Sequence, residues 1–187
     1  MTNIKEDSSW PTVQPTFGDG TVNLRPWRAD DAVWVYEDCQ DIAIQKWTRV
    51  PTPYEFAHAE GFVGKLAPTS WSNGKGGHFA ISDAITGALH GCVGLEVLDV
   101  SSGVAEVGYW TALESRGGGL TTRALRLLTD WAFQELNLIR LELFVLVGNP
   151  SSAKVAERVG YSCEGVMAKK VLRHGVHHDV AMYARTI

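Results

Sequence analysis

Apolar and polar positions alternate from Gly20 to Trp27, which predicts a first β-strand. Ala29, Asp30 and Asp31 then offer a helix start, with acidic side chains ahead of an apolar run through Ala32, Val35 and Tyr36. A second helix is expected from near Tyr54, carrying Phe56, Ala59, Phe62, Val63 and Leu66. The stretch His78–Val100 reads as two strands joined by a hairpin turn at Ile85-Thr86-Gly87, and Val104–Trp110 reads as a fourth strand. Leu120, Ala124, Leu127, Leu128 and Trp131 fall on one face of a helix, whereas Ile139, Leu141, Leu143, Val145 and Val147 alternate as a fifth strand. A short helix from Asn149 to Val159 closes at Gly160, and strands follow around Tyr161–Met167 and His178–Ala184. Helices and strands interleaved in this way give an α/β class.

The chain has 187 residues, of which 45% are hydrophobic. At this size about 70% of the unfolded chain's surface can be buried, enough for one sizeable core and a single domain over residues 21–187. Residues 1–20 lack apolar periodicity and are expected to form a loose arm. Neither a secretory leader nor an apolar stretch near 20 residues is apparent, so a cytoplasmic location away from membranes is expected. Cys39, Cys92 and Cys163 lack C-x-x-C spacing and read as buried thiols, not as a disulfide or zinc framework. A net charge of −4 gives no electrostatic case for nucleic acid and suits an amine-bearing substrate better.

The segment Tyr109–Leu125 changes the picture most. A strand-like run leads through a short polar turn to Arg116, three successive glycines and an amphipathic helix. Glycines let backbone N–H groups close on an anion, and a helix start adds unpaired N–H groups and a positive dipole end. Arg116 adds a planar cationic fork for the same oxygens. A glycine turn without a ligand remains the plainer reading of these residues. Neither the P-loop spacing, with lysine after its last glycine, nor G-x-G-x-x-G is satisfied.

Arg116-Gly117-Gly118-Gly119-Leu120-Thr121 instead resembles the Arg/Gln-x-x-Gly-x-Gly/Ala loop of the GNAT superfamily, acyl-CoA-dependent N-acyltransferases in which this loop cradles the coenzyme A pyrophosphate. Thr121 departs from the usual small residue. The segments VNLRPWRADDA, IQKWTRVPTPY, AEVGYWTALESRGGGLTTRAL, LLTDWAFQELNLIRLELFVLVGNPSSAKVAERVGY and RHGVHHDVAMY are similar, in that order, to the RimJ/RimL branch, covering Thr21 to Ile187. The resemblance implies a GNAT fold: a mixed, mostly antiparallel twisted sheet of about seven strands, splayed in the middle, with about four helices. It implies acetyl transfer from acetyl-CoA to a primary amine, belonging to a protein N-terminus, an amino acid or a small molecule. A larger acyl donor such as succinyl-CoA, antibiotic detoxification and a non-catalytic acyl-CoA-binding module stay open. Oligomeric state is not readable, although homodimers are common in such families.

Acyl transfer to an amine needs a neutral nucleophile and a way to protonate the departing thiolate. Glu106, ten residues before Arg116, is the candidate base by resemblance, against an ordinary solvent-facing carboxylate in an alternating strand. The resemblance further implies that Tyr109, Trp110 and Thr111 pair by their backbone with the pantetheine arm. It also implies that Asn149 contacts the coenzyme and that Ser152 lies near the sulfur. Asn149 and Ser152 read equally as a helix cap and a first-turn residue. The family's general-acid tyrosine has Ala156 in its place, leaving Ser152 or water as donor. Trp47 and Tyr54, with Thr48 and Arg49, are candidates for the acceptor pocket, while Trp71 and Trp110 read equally as core. His174, His177 and His178 cluster without completing a recognised ligand set, so no metal is expected, and Asp179 is read as orienting the last strand.

Overall fold

The computed structural model describes residues 10–99 and 101–187. Eight strands among them form one sheet: β1 (Phe17–Gly18), β2 (Val22–Pro26), β3 (Gly77–Asp83), β4 (Leu89–Asp99), β5 (Val104–Thr111), β6 (Arg140–Leu146), β7 (Ser162–Arg173) and β8 (Val176–Thr186). Their order is β1-β2-β3-β4-β5-β6-β8-β7, and every neighbouring pair is antiparallel except β5 with β6. The expected β3–β4 hairpin forms, with Gly87 at φ +75° in its turn; Val100, placed at its end from sequence, lies outside the described residues.

Among the described residues six α-helices accompany the sheet: α1 (Ala32–Asp38), α2 (Ile42–Trp47), α3 (Phe56–Gly61), α4 (Ala67–Ser72), α5 (Leu120–Glu135) and α6 (Pro150–Val159). The helix expected from Tyr54 is longer and less regular than its apolar pattern implies. A π-helical turn, Phe62–Leu66, joins α3 to α4, and the Ala67 N–H bonds back to the Phe62 carbonyl. Pro68 supplies the reason: it has no N–H and crowds the preceding turn, so the helix widens where proline enters it. α2 was not expected at all. Asp41 starts it by accepting the Ala43 and Ile44 N–H groups at 2.6 and 2.9 Å.

Alternation along the strands separates two apolar layers. Phe79, Ile81, Val93, Leu95, Ala105 and Val107 face the layer that holds α5 and α6. Ala80, Cys92 and Trp110 face the opposite layer, against Trp27, Val35, Ile44, Tyr54 and Val63. Cys39 and Cys92 are buried as expected, whereas Cys163 is exposed, because β7 is an edge strand with little packed over it.

Part of the segment expected to be a loose arm is docked. Residues 1–9 lie outside the described residues. Beyond them the Trp10 indole donates to the Trp71 carbonyl at 2.7 Å, and Phe17 stacks on Trp131 at 5.4 Å between ring centres. Asp19 turns the chain into β2 by accepting the Thr21 and Val22 N–H groups, and pairs with Arg123 on α5 at 2.8 Å. Aromatic anchors and one Asx turn hold the segment where apolar periodicity gave no signal. Among the described residues no helix is long and apolar enough to cross a membrane.

Candidate active site

The central parallel pair sets the site. β5 and β6 are in register only at Val104, Ala105 and Glu106, opposite Arg140, Leu141 and Glu142. Beyond those rungs β5 runs on to Thr111 and β6 to Leu146 without pairing each other, so the sheet opens. A cleft of about 460 Å³ fills the opening. Alternation on β5 places Glu106 and Gly108 toward α2, and Tyr109 toward α6. The two ends of the cleft therefore carry different chemistry.

At the glycine end, β5 passes through a 3₁₀ turn, Leu113–Ser115, into Arg116 and the loop. Gly117 and Gly119 adopt φ +83° and +79°, which L side chains rarely take, and a Cβ at either would meet nothing within 4 Å. Open space therefore lies over the loop. Gly119 begins α5 without any side-chain cap, leaving the first-turn N–H groups free for an anion. The loop glycines, the free N–H groups and Arg116 together fit a pyrophosphate. Gly117, Gly119, Thr121 and Arg116 line the cleft; Gly118 and Leu120 do not, Leu120 packing against the core instead. Thr121, the departure from the family pattern, bonds its hydroxyl to that of Thr111 at 2.5 Å, fastening the loop to the end of β5. Thr122, which the sequence reading did not single out, also lines the cleft. Arg116 contacts Asp41 at 3.2 Å and donates from Nε to the Thr111 carbonyl at 3.1 Å, so it bridges the glycine loop and the start of α2.

In the middle, Asn149 caps α6 by accepting the Ser152 N–H at 3.2 Å, and Gly160 closes the helix at φ +92°. Ser152 lies against Tyr109, whose hydroxyl donates to the Ser152 carbonyl at 2.9 Å and is 3.0 Å from Ser152 Oγ. Burial pushes the Tyr109 phenol well above its ordinary value, so it stays a donor. Ala156 is fully buried, so the missing tyrosine has no substitute at that place in the helix. The phenol that reaches this region comes from β5 instead, a side-chain position that the sequence reading had assigned only a backbone part.

At the far end, Glu106 sits on the last shared rung of β5 and β6. The β4–β5 register shifts between Leu95 and Val97, so Glu96 is the extra residue of a bulge and turns into the cleft. Gly108 makes room for it, since a Cβ there would collide with the Glu96 carboxylate. Arg49, just beyond α2, donates to Glu96 at 2.6 Å and to Glu106. Burial raises the Glu106 carboxyl above its ordinary value, Arg49 opposes that, and the charges of Glu96 and Glu142 add to it. Arg49 is 55% exposed, so its pairs hold the Glu106 and Glu96 carboxylates in place at a strength of only about 0–1 kcal/mol each and open readily.

Trp47 lines the cleft beside this cluster. Tyr54 does not: it is 6% exposed inside the α1–α4 layer, so its place in the acceptor pocket is corrected to a core position. Trp110 does both, lining the cleft and stacking on Trp34 at 5.6 Å. Arg49, Glu96 and Arg173 complete the acceptor end; only Arg49 had been noted in the sequence. Asp179 accepts the Lys169 N–H at 2.8 Å, tying the β7 bulge to β8, and His177 Nδ1 meets the Lys169 carbonyl at 3.1 Å.

Residues 21–162 match the family model described as an Acetyltransferase (GNAT) domain. The chain is 41% identical over 98 residues to YdaF of Bacillus subtilis (strain 168), covering 52% of this chain and 54% of that protein. It is 31% identical over 99 residues to the ribosomal-protein-serine acetyltransferase of Escherichia coli (strain K12), covering 53% and 55%. The chain thus spans about half the length of these curated relatives. Among solved structures, the microcin C7 self-immunity acetyltransferase MccE, in complex with acetyl-CoA and AMP, shares the fold at a TM-score of 0.83 and 22% identity, covering 94% of this chain and 99% of that one. The glycine-loop cradle, the splay between β5 and β6 and a family match across three quarters of the sequence converge on one assignment: the chain belongs to the GNAT acetyltransferase family.

Proposed function

We propose that this protein transfers an acetyl group from acetyl-CoA to a primary amine. The observation that carries the reading is the cleft itself, which joins an anion cradle at Gly117–Thr121 to a carboxylate of raised basicity at Glu106 through a single opening in the sheet. Acetyl-CoA supplies an activated thioester; the protein supplies position and proton traffic. The loop and Arg116 hold the pyrophosphate, and the one edge of β5 left unpaired beyond Glu106, on the side away from β4, is free to bond the amides of the pantetheine arm.

Glu106 accepts the proton of the incoming ammonium, directly or through water, so that a neutral amine attacks. A carboxyl raised from its ordinary value by burial is shifted toward the working pH, which makes it the better base. Ser152, backed by the Tyr109 phenol, is the donor toward the leaving sulfur. Glu106 on β5 and Ser152 on α6 line the same cleft, so base and donor face one bound acyl group. A panel of amines and N-terminal peptides with acetyl-CoA and succinyl-CoA, followed by thiol release, tests the reading. Amine-dependent release with acetyl-CoA is expected; tight coenzyme binding without amine-dependent release would instead make the chain a binding module.

A further inference from the structure

The turn of the β7–β8 hairpin carries Arg173 into the acceptor end of the cleft, beside Arg49 and Glu96. Only the charge of Glu96 acts on Arg173 favourably, and without direct contact. Arg49 takes both nearby carboxylates, Glu96 and Glu106, whereas Arg173 makes no ion pair among the described residues. Its Nε is buried and has no hydrogen-bond partner. Buried charged donors left unsatisfied are costly, and a guanidinium fork matches a carboxylate with two parallel bonds. The hairpin has the same sign: residues 169–178 contain Lys169, Lys170 and Arg173 and no carboxylate, with Asp179 next in the chain.

Resting on the acetyl-transfer reading above, we infer that Arg173 recognises an anion on the acceptor, and that the acceptor is a primary amine bearing a carboxylate in the same molecule. The amine nitrogen then faces Glu106 and Glu96, and the carboxylate faces Arg173, so the molecule's two charges meet opposite charges in the cleft. A polyamine would set a second cation against two guanidiniums. The carboxylate can belong to a free amino acid or to an acidic residue next to a peptide N-terminus; the recognition is the same.

The test uses C-terminally amidated peptides that begin with serine and carry glutamate, glutamine or lysine second, together with free glutamate and spermidine. kcat/KM is read from thiol release at saturating acetyl-CoA. The glutamate peptide should exceed the lysine peptide by roughly tenfold or more, the scale of one charge-assisted contact. Arg173→Gln should bring that ratio toward one, and Arg173→Glu should invert it, a gain for the cationic acceptor that mere structural damage would not produce. Free glutamate against the acidic peptide tells which carboxylate is read. Preference of the unaltered protein for the lysine peptide or spermidine would overturn the inference. So would an unchanged ratio in Arg173→Gln protein with normal melting temperature and coenzyme affinity. If Arg173→Glu fails to fold, the wild-type ratio and Arg173→Gln decide. If amines are acetylated without regard to charge, this inference alone falls; if none is acetylated, the transferase reading falls first.

Discussion

The Tyr109 hydroxyl lies 2.9 Å from the Ser152 carbonyl and 3.0 Å from the Ser152 hydroxyl, although 43 residues separate them in the chain. The phenol has one proton, and either hydroxyl can be the donor between Tyr109 and Ser152, so the direction of the phenolic proton decides whether the Ser152 proton is free to turn toward the cleft. β5 and α6 are thereby locked together on the wall where a leaving sulfur would lie.

Ser152→Ala should slow acetyl transfer while coenzyme affinity and melting temperature stay near wild type. Asn149→Ala should do the reverse to stability, costing about 0.5–2 kcal/mol by loss of the α6 cap. Measuring kcat and melting temperature for both variants separates the roles. A Ser152→Ala protein with unaltered rate would assign protonation of the thiolate to water.

Glu106→Gln should lower kcat/KM by roughly 10²–10⁴-fold with little change in acetyl-CoA binding. The pH profile gives a second reading. A base works deprotonated, so activity falls as pH drops through the raised Glu106 value, and the amide variant should lose that acidic limb. Arg49 is the main influence holding this value down; Arg49→Ala should therefore move the limb to higher pH. A limb that stays in place would remove Arg49 from control of the base.

Gly119→Glu would place bulk and negative charge in the open space over the loop, in a backbone conformation that costs an L residue about 1–2 kcal/mol. Coenzyme A affinity should collapse while the fold persists. Gly119→Asn, which tolerates the left-handed conformation and adds no charge, should retain more of it. Equal calorimetric affinity for both variants and wild type would place the pyrophosphate elsewhere.

Away from the site, Arg25 grips Asp31 with two bonds of 2.7 and 2.8 Å, and Asp31 also accepts the Arg28 N–H at 2.8 Å. Both side chains are largely buried. Arg25→Met strands that carboxylate and should cost about 3–5 kcal/mol in denaturant unfolding. Burial works against the Asp31 charge, but these bonds outweigh it and hold the carboxyl below its ordinary 3.8. Its contribution should be complete above that pH and fade as pH falls through the lower folded value. A loss under 1 kcal/mol in Arg25→Met would mean that water or another cation replaces the guanidinium.

The glycine loop, the β3–β4 hairpin and α6 were legible because each is local: periodicity sets the element, and Gly87, Gly119, Asn149 or Gly160 marks its end within a few residues. Strand β1 and helix α2, two and six residues long, are too short for a period to register. The acceptor end was legible least. Its members come from three distant stretches, 47 and 57 residues apart for the Arg49 pairs, and Glu96 enters only through a bulge. Tyr54 misled for a related reason, since an aromatic residue near a predicted helix start carries no mark of which layer it will enter.

The most direct measurement supplies acetyl-CoA labelled in its acetyl group together with a panel of primary amines, with and without a carboxylate, and follows the label by mass spectrometry. The labelled acetyl should appear in amide linkage on the amine nitrogen, with one free thiol released per product and with loss of both in Glu106→Gln. Release of labelled acetate instead, or a panel in which every amine stays unmodified while coenzyme binds, would contradict acetyl transfer by this cleft.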